Sequence, residues 1–116
     1  MSHITLYHNP RCSKSRETLQ LLRDNGIEPE IREYLKDVPS ADEIKAVLSA
    51  LDIGARALLR TKEAEYRELG LDDTSLSDDQ IIAKMVECPK LIERPIVIRD
   101  GQARIGRPPE SVKEIL

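Results

Sequence analysis

The sequence has few of the residues on which several classes of protein depend. Its 116 residues include three Tyr but no Phe and no Trp, so it lacks the aromatic side chains on which bases or sugars stack. Two cysteines are too few for a scaffold held by several disulfides. No apolar run approaches the roughly 20 residues that a membrane-spanning helix needs. The net charge of -3 argues against a nucleic-acid-binding protein with a uniformly basic surface.

The first residues also lack an export signal. The segment MSHITLYHNP has neither a basic start nor a continuous apolar stretch, so we expect a cytoplasmic protein that is not associated with a membrane. At 116 residues the chain has the size of one domain, and no linker rich in Pro, Gly or Ser divides it. We therefore predict a single domain over residues 1–116, and a monomer.

The sequence does contain an ordered series of strand and helix signals. Its first third predicts a strand at 4–7, a helix from about Ser13 to Asn25 that Gly26 ends, and a second strand from Pro29 to Tyr34. A strand, helix and strand in this order normally give two parallel strands joined by a right-handed crossover.

The middle of the sequence is predicted to be wholly helical. Ser40 with Glu43, and Ser77 with Gln80, form capping boxes ahead of segments with one apolar helical face. Between these two helices, residues 55–60 and 63–69 each predict a short helical turn.

The last third predicts a β-hairpin and a final helix. Strands at 94–98 and 102–105 flank the turn at Asp100-Gly101, and a short helix follows Pro108-Pro109 and ends at about Ile115. The order β-α-β, helices, β-β-α is that of an α/β protein with a thioredoxin-like fold and a helical insertion at about 40–90.

Cys12 lies where the predicted first helix begins. The free N–H groups and the dipole at the amino end of a helix favour a thiolate and also bind anions. Basic side chains stand beside it at Arg11, Lys14 and Arg16, with His8 just upstream, and we expect these groups to lower the pKa of the thiol further. The alternative is a buried, inert cysteine, because free cysteines are common in protein cores.

Ser15 stands where a disulfide oxidoreductase with a Cys-x-x-Cys motif has its second cysteine. No disulfide can form within this loop, so a two-electron reduction at Cys12 needs another thiol, such as that of glutathione. Cys88 could supply it, but its place before Pro89 at the end of an apolar-faced helix indicates a structural role.

Four separated motifs resemble those of the glutaredoxin-linked arsenate reductase family, in order and across nearly the whole chain. They are HNPRCSKS at 8–15, RALLR at 56–60, RPIV at 94–97 and GRP at 106–108. The resemblance implies a thioredoxin fold and an enzyme, an oxidoreductase that reduces arsenate to arsenite. It further implies no bound cofactor, glutathione as co-substrate, and glutaredoxin as the partner that resolves the mixed disulfide left on Cys12.

The resemblance also implies roles for individual residues. Cys12 would attack arsenate to form a thiolate–arsenic adduct, and His8 would help to keep it ionised. The oxyanion would be bound by Arg60, Arg94 and Arg107. Supporting roles would fall to Asn9, Ser15 and Pro95, the last of which resembles the cis-proline that faces the active cysteine in thioredoxin folds. Guanidinium groups suit this task because they bind and neutralise a charged tetrahedral oxyanion.

Each of the three arginines also has a structural explanation. Arg60 could cap the carboxyl end of the short helix before it, and Arg107 could cover the edge of the sheet. Arg94 could pair with Glu93 or Glu110.

His8 could equally orient the loop at Asn9, as a histidine after a strand often does. A zinc site made from the two cysteines and two histidines is excluded, because no pair of them has the short spacing of a zinc finger.

Two other functions compete with arsenate reduction. One is an Spx-like regulator that binds RNA polymerase, but such regulators usually carry Cys-x-x-Cys, and Ser15 counts against this. The other is a generic glutathione-dependent thiol transferase, which would not need three converging arginines. A thiolate in an arginine pocket could also accept oxyanions other than arsenate.

Overall fold

The structure, a computed structural model, describes residues 3–116, so Met1 and Ser2 of the predicted domain lie outside the described residues. The chain divides into two compact units. The first, here called the sheet unit, runs up to Asp37 and resumes from Arg94 to Leu116; the second, the helical unit, is Val38–Glu93. The single domain over 1–116 stays a prediction.

Within residues 3–116 the sheet unit contains one four-stranded sheet in the order β2-β1-β3-β4. The strands are β1 Ile4–Tyr7, β2 Glu30–Arg32, β3 Ile96–Arg99 and β4 Gln102–Ile105. β1 is parallel to β2 and antiparallel to β3, and β3 is antiparallel to β4. The predicted parallel pair and hairpin are therefore both confirmed, and with them the thioredoxin-like sheet order.

β2 is shorter than the predicted strand at 29–34. The chain turns directly after it, because the amides of Lys36 and Asp37 both donate to the carbonyl of Glu33, over 2.9 Å and 2.8 Å. Tyr34 nevertheless remains buried, and its ring stacks on that of Tyr7 at a centroid distance of 6.4 Å.

Two helices of the sheet unit share its main apolar core with the sheet. α1, Ser13–Asp24, and a final 3-10 helix, Pro109–Ile115, pack their buried side chains against β1 and β3. The buried members of this cluster are Ile4, Leu6, Leu22, Val97, Val112 and Ile115. Burying a side chain of this kind contributes about 1.5–3 kcal/mol, so the core fixes the direction of α1 relative to the strand that precedes it.

The helical unit contains α2 Ala41–Leu51, α3 Ala64–Glu68 and α4 Asp78–Glu87, with 3-10 helices at Ala55–Leu58 and Pro89–Leu91. Both predicted capping boxes are present. The hydroxyls of Ser40 and Ser77 accept from the amides of Glu43 and Gln80, over 3.1 Å and 3.2 Å. Within residues 3–116 no helix is long and apolar enough to cross a membrane.

The prediction of a wholly helical middle is wrong in one detail. Leu59 and Ile92 form an isolated antiparallel β-bridge. Both residues are extended, with φ and ψ of -76° and 138° at Leu59 and -78° and 128° at Ile92. Each directly follows a 3-10 helix. The two residues therefore pair as in a β-sheet directly after helical segments, which helical periodicity does not predict.

Candidate active site

Cys12 is the N-cap residue of α1. Its backbone is extended, with φ -95° and ψ 124°, and its amide donates to the carbonyl of Asn9 over 3.0 Å. The residue is 8% exposed, so most of it is withdrawn from solvent. The loop before it is closed by Oδ1 of Asn9, which accepts from the amide of Arg11 over 3.0 Å. This position sets the sulfur against first-turn amides that have no partner within the helix.

The Cys12 thiol has a pKa below the ordinary value. Burial by itself raises the pKa, but hydrogen bonds from the amides of Ser15 and Lys14 and the charges of Arg94 and Arg107 outweigh it. The two arginines are distant in the sequence, and Lys14 contributes through its amide rather than its ammonium group. The expected activation of Cys12 therefore comes from the helix amides and from the far end of the chain.

Ser15 joins the loop to the helix. It is fully buried, its Oγ lies 2.7 Å from Nδ1 of His8, and the same Oγ accepts from the amide of Asn9 over 3.0 Å. Its own amide is the one that stabilises the Cys12 thiolate most. In place of a second redox sulfur, this position thus carries a hydroxyl that connects His8, the loop and the first turn of α1.

His8 directly follows β1 and is 6% exposed. Burial lowers the pKa of its imidazole below the ordinary 6.5; Glu33 opposes this effect, and the charges of two arginines on α1 add to it. The ring is therefore neutral at neutral pH, and its Nδ1 contacts the Ser15 hydroxyl.

Arg94 and Arg107 come together at the ends of the β3-β4 hairpin. Arg94 is 9% exposed, with Nε and Nη1 fully buried, and its peptide bond to Pro95 is cis, as the resemblance implied. Its carbonyl accepts from Nε of Arg107 over 2.9 Å. Nη2 of Arg107 lies 3.8 Å from Sγ of Cys12. The sheet unit therefore brings three of the predicted site residues to one place.

Gly106 allows this approach, although the motif at 106–108 indicates no separate role for it. Its amide donates to the carbonyl of Pro95 over 2.9 Å. A Cβ at this position would lie 2.5 Å from Oγ1 of Thr18 and 2.8 Å from Cγ of Pro95, distances that a real Cβ does not tolerate. The missing side chain lets the segment that carries Arg107 lie directly against α1.

Arg60 belongs to the helical unit, where both its backbone and its side chain have partners. Its amide donates to the carbonyl of Leu91 over 2.8 Å, beside the β-bridge. Its Nη1 lies 2.8 Å from Oε1 of Glu63, whose other oxygen lies 3.5 Å from Nζ of Lys90. Arg60 and Glu63 are three positions apart in the sequence, but this spacing alone does not predict that they form an ion pair. Arg60 as an oxyanion ligand stays a prediction.

Two further residues of the helical unit have structural surroundings. Arg56 donates from Nη1 to the carbonyl of Leu71 over 2.7 Å and from Nη2 to that of Asp73 over 2.8 Å. Cys88 is the C-cap residue of α4, and burial raises the pKa of its thiol, with Glu65 acting in the same direction. The pKa of Cys12 is therefore below that of an ordinary thiol, and the pKa of Cys88 is above it. Within residues 3–116 no three His, Cys, Asp or Glu side chains are grouped to hold a metal ion.

Comparisons with known proteins match this architecture over almost its full length. The model of the ArsC family matches residues 7–115. A protein of Escherichia coli strain K12, called uncharacterized protein YfgD, is 54% identical over 114 residues, 97% of this chain and 96% of its own. An arsenate reductase of Acidiphilium multivorum is 46% identical over 100% of this chain and 82% of its own. The solved structure of an arsenate reductase from Vibrio cholerae superposes with a TM-score of 0.96 at 55% identity, covering 98% of both chains.

Proposed function

This chain belongs to the ArsC family, and on that basis we propose that it is an arsenate reductase with Cys12 as its nucleophile. The observation that carries the proposal is a thiol of lowered pKa with the guanidinium of Arg107 3.8 Å from its sulfur. A thiolate repels an anionic substrate, so a pair of fixed cations beside it is what attack on an oxyanion requires.

In the first step the thiolate attacks the arsenic of bound arsenate. An S–As bond forms and one As–O bond breaks, and the departing oxygen takes up two protons and leaves as water. Arsenic remains As(V) in the adduct on Cys12. Arg94 and Arg107 offset the charge of the substrate oxygens as the sulfur approaches, because charge-assisted hydrogen bonds from guanidinium to an oxyanion are stronger than neutral ones.

In the second step glutathione reduces the adduct. Its sulfur bonds to the sulfur of Cys12 while the S–As bond breaks, and the bonding electron pair stays on arsenic, which leaves as arsenite in the As(III) state. The proton of the glutathione thiol goes to the departing arsenite. Cys12 is left as a mixed disulfide with glutathione, and a glutaredoxin thiolate removes the glutathionyl group by attack on its sulfur.

The remaining predicted residues support these steps. From the family resemblance we propose Arg60 as a third ligand of the oxyanion, which would take the place of the Glu63 carboxylate on its guanidinium. His8 acts on Cys12 through Ser15, since its Nδ1 lies 2.7 Å from the Ser15 hydroxyl. Asn9 closes the loop through its side-chain bond to the amide of Arg11.

The test follows NADPH oxidation in the presence of glutathione, glutathione reductase and glutaredoxin, with and without arsenate. The wild-type protein and Cys88→Ser should both turn over arsenate, whereas Cys12→Ser should not. Cys88→Ser is the matched control because it removes the other thiol, whose pKa is raised.

Two outcomes would contradict the proposal. Turnover of a small disulfide substrate that is indifferent to arsenate would identify a thiol transferase. Association with RNA polymerase without any turnover would identify a regulator.

A further inference from the structure

A cavity of about 290 Å³ lies in the sheet unit beside the loop that leads into Cys12. One wall is residues 8–11 of that loop, and the other is formed by Glu33, Leu35 and Lys36 in the turn after β2. Sites for small ligands begin at about 300 Å³. At about 290 Å³ the cavity lies at this lower limit, so it can hold part of a short peptide, with the remainder in solvent.

The charges around this cavity are mixed. Arg11 and Lys36 are exposed cations, and Glu33 supplies one carboxylate. Within residues 3–116 the guanidinium of Arg11 has neither a hydrogen bond nor an ion pair, since only its backbone amide is engaged, with Asn9. Nζ of Lys36 is 3.9 Å from Oε1 of Glu33 and its side chain is 82% exposed, so this pair is loose enough to be opened by a ligand.

Neutral groups complete the lining. Leu35 is 40% exposed and provides an apolar surface for methylene groups. Oδ1 of Asn9 is occupied by the amide of Arg11, while its Nδ2 has no partner among the described residues and can donate to a peptide carbonyl.

We propose that this cavity binds glutathione, the co-substrate of the proposed function on which this inference rests. At neutral pH glutathione carries two carboxylates and one ammonium group, and the cavity offers two cations and one carboxylate. Glu33 would repel a simple anion. A peptide with charges of both signs can instead pair its carboxylates with the two cations and its ammonium group with Glu33. Residue 11 of the wall is bonded to Cys12, so the cavity adjoins the loop that carries the attacked sulfur.

Binding is tested without redox chemistry by titrating the Cys12→Ser protein with S-methylglutathione and following amide chemical shifts. We expect the shifts to centre on residues 8–11 and 33–36. Arg11→Ala and Lys36→Ala should each weaken binding about two- to fivefold, and the double variant about tenfold, as for exposed charge pairs. Lys113→Ala is the matched control, an exposed lysine of the same unit that does not line this cavity, and it should leave the affinity unchanged.

Analogues of glutathione test which of its charges contribute to binding. The C-terminal amide of S-methylglutathione lacks the negative charge of the glycine carboxylate and should bind several-fold more weakly than S-methylglutathione. Equal affinities for the two peptides, equal affinities in all the charge variants, or shifts elsewhere in the sheet unit would overturn the assignment.

Kinetics separate this inference from the proposed function. In the arsenate assay, Arg11→Ala with Lys36→Ala should raise the KM for glutathione and leave that for arsenate unchanged. Arsenate turnover with an unchanged KM for glutathione would overturn the cavity assignment while the proposed function stands. Charge-dependent binding of S-methylglutathione in a protein that never reduces arsenate would keep the cavity assignment and remove the proposed function.

Discussion

Nη2 of Arg107 lies 3.8 Å from Sγ of Cys12, although 95 positions separate the two residues in the sequence. The arginine is held there by its Nε, which donates to the carbonyl of Arg94 over 2.9 Å. The contact places a fixed positive charge against the sulfur before any substrate is present.

Replacing Arg107 should affect both the thiol and the substrate. In Arg107→Ala we expect a higher pKa for Cys12 and a loss of kcat/KM for arsenate of about 10²–10³, the cost of removing one donor that stabilises developing charge. The pKa is measured from the ultraviolet absorbance of the thiolate against pH. Arg107→Lys should retain part of the pKa effect but less of the activity, because an ammonium group lacks the planar fork. An unchanged thiol pKa in Arg107→Ala would contradict the role given to this contact.

The two cysteines should differ in their pH dependence of alkylation. In Cys88→Ser the remaining Cys12 should react with iodoacetamide along a pH curve whose midpoint lies below the ordinary thiol pKa of 9.0. In Cys12→Ser the midpoint for Cys88 should lie above 9.0. The midpoint, not the rate, is compared, since both thiols are partly buried and access slows each reaction. Superimposable curves would show that the site does not activate Cys12.

The lowered pKa of Cys12 also predicts how stability depends on pH. An acid whose pKa is lower in the folded than in the unfolded state stabilises the fold above its unfolded pKa, and this contribution is lost as pH falls through the folded pKa. Wild type should therefore gain free energy of unfolding relative to Cys12→Ser as the pH rises from that folded pKa toward 9.0. Urea unfolding of both proteins across this range measures the difference, and parallel stability curves would contradict the prediction.

Gly106→Ala should damage both packing and activity. The new Cβ meets Thr18 Oγ1 at 2.5 Å and Pro95 Cγ at 2.8 Å, so the segment must move away from α1, at a cost of about 1–3 kcal/mol for an overpacked site. The displacement carries Arg107 with it, and kcat/KM should fall while the Cys12 pKa rises. Adding Thr18→Ala should recover part of both losses.

Gly54→Ala is the matched control, because a Cβ there would meet only Oδ2 of Asp78 at 3.8 Å, an ordinary contact. Equal thermal unfolding and equal kinetics of Gly106→Ala and Gly54→Ala would show that the close approach of residue 106 to α1 does not affect function.

Replacing Arg94 should mainly reduce activity, whereas replacing Arg56 should mainly reduce stability. Arg94→Ala removes a charge that lowers the Cys12 pKa, so its main effect should be on kcat/KM for arsenate. Arg56→Ala leaves the carbonyls of Leu71 and Asp73 without their donor and should cost about 1–3 kcal/mol of stability with a smaller loss of turnover. Thermal unfolding and steady-state kinetics of both variants, measured together, provide the test. Equal losses of turnover would count against Arg94 as an oxyanion ligand.

Much of the fold was predictable because local signals and tertiary packing agree. The capping boxes at Ser40 and Ser77 and the Asp100-Gly101 turn each define an element boundary from a few adjacent residues. The end of β2 was not predictable, because it depends on two amides converging on the Glu33 carbonyl after the strand.

The site position of Cys12 could be predicted from its own element, whereas Arg94 and Arg107 were indicated by the family resemblance and not by spacing or periodicity. The place of Cys12 at a helix start follows from the sequence pattern alone. By contrast, the neutral state of His8 depends on burial, and the role of Gly106 depends on an atom of Thr18 that lies on another element. Such distances between elements are set by packing and leave no periodic signal.

Arg94 precedes β3 and Arg107 follows β4, so a single hairpin supplies both cations beside the sulfur. A slip of one position in the pairing of its strands would turn Val97 out of the core and, by the same displacement, pull the guanidinium of Arg107 off Cys12. Correct registration of the hairpin and placement of its two positive charges beside the Cys12 sulfur are therefore one event.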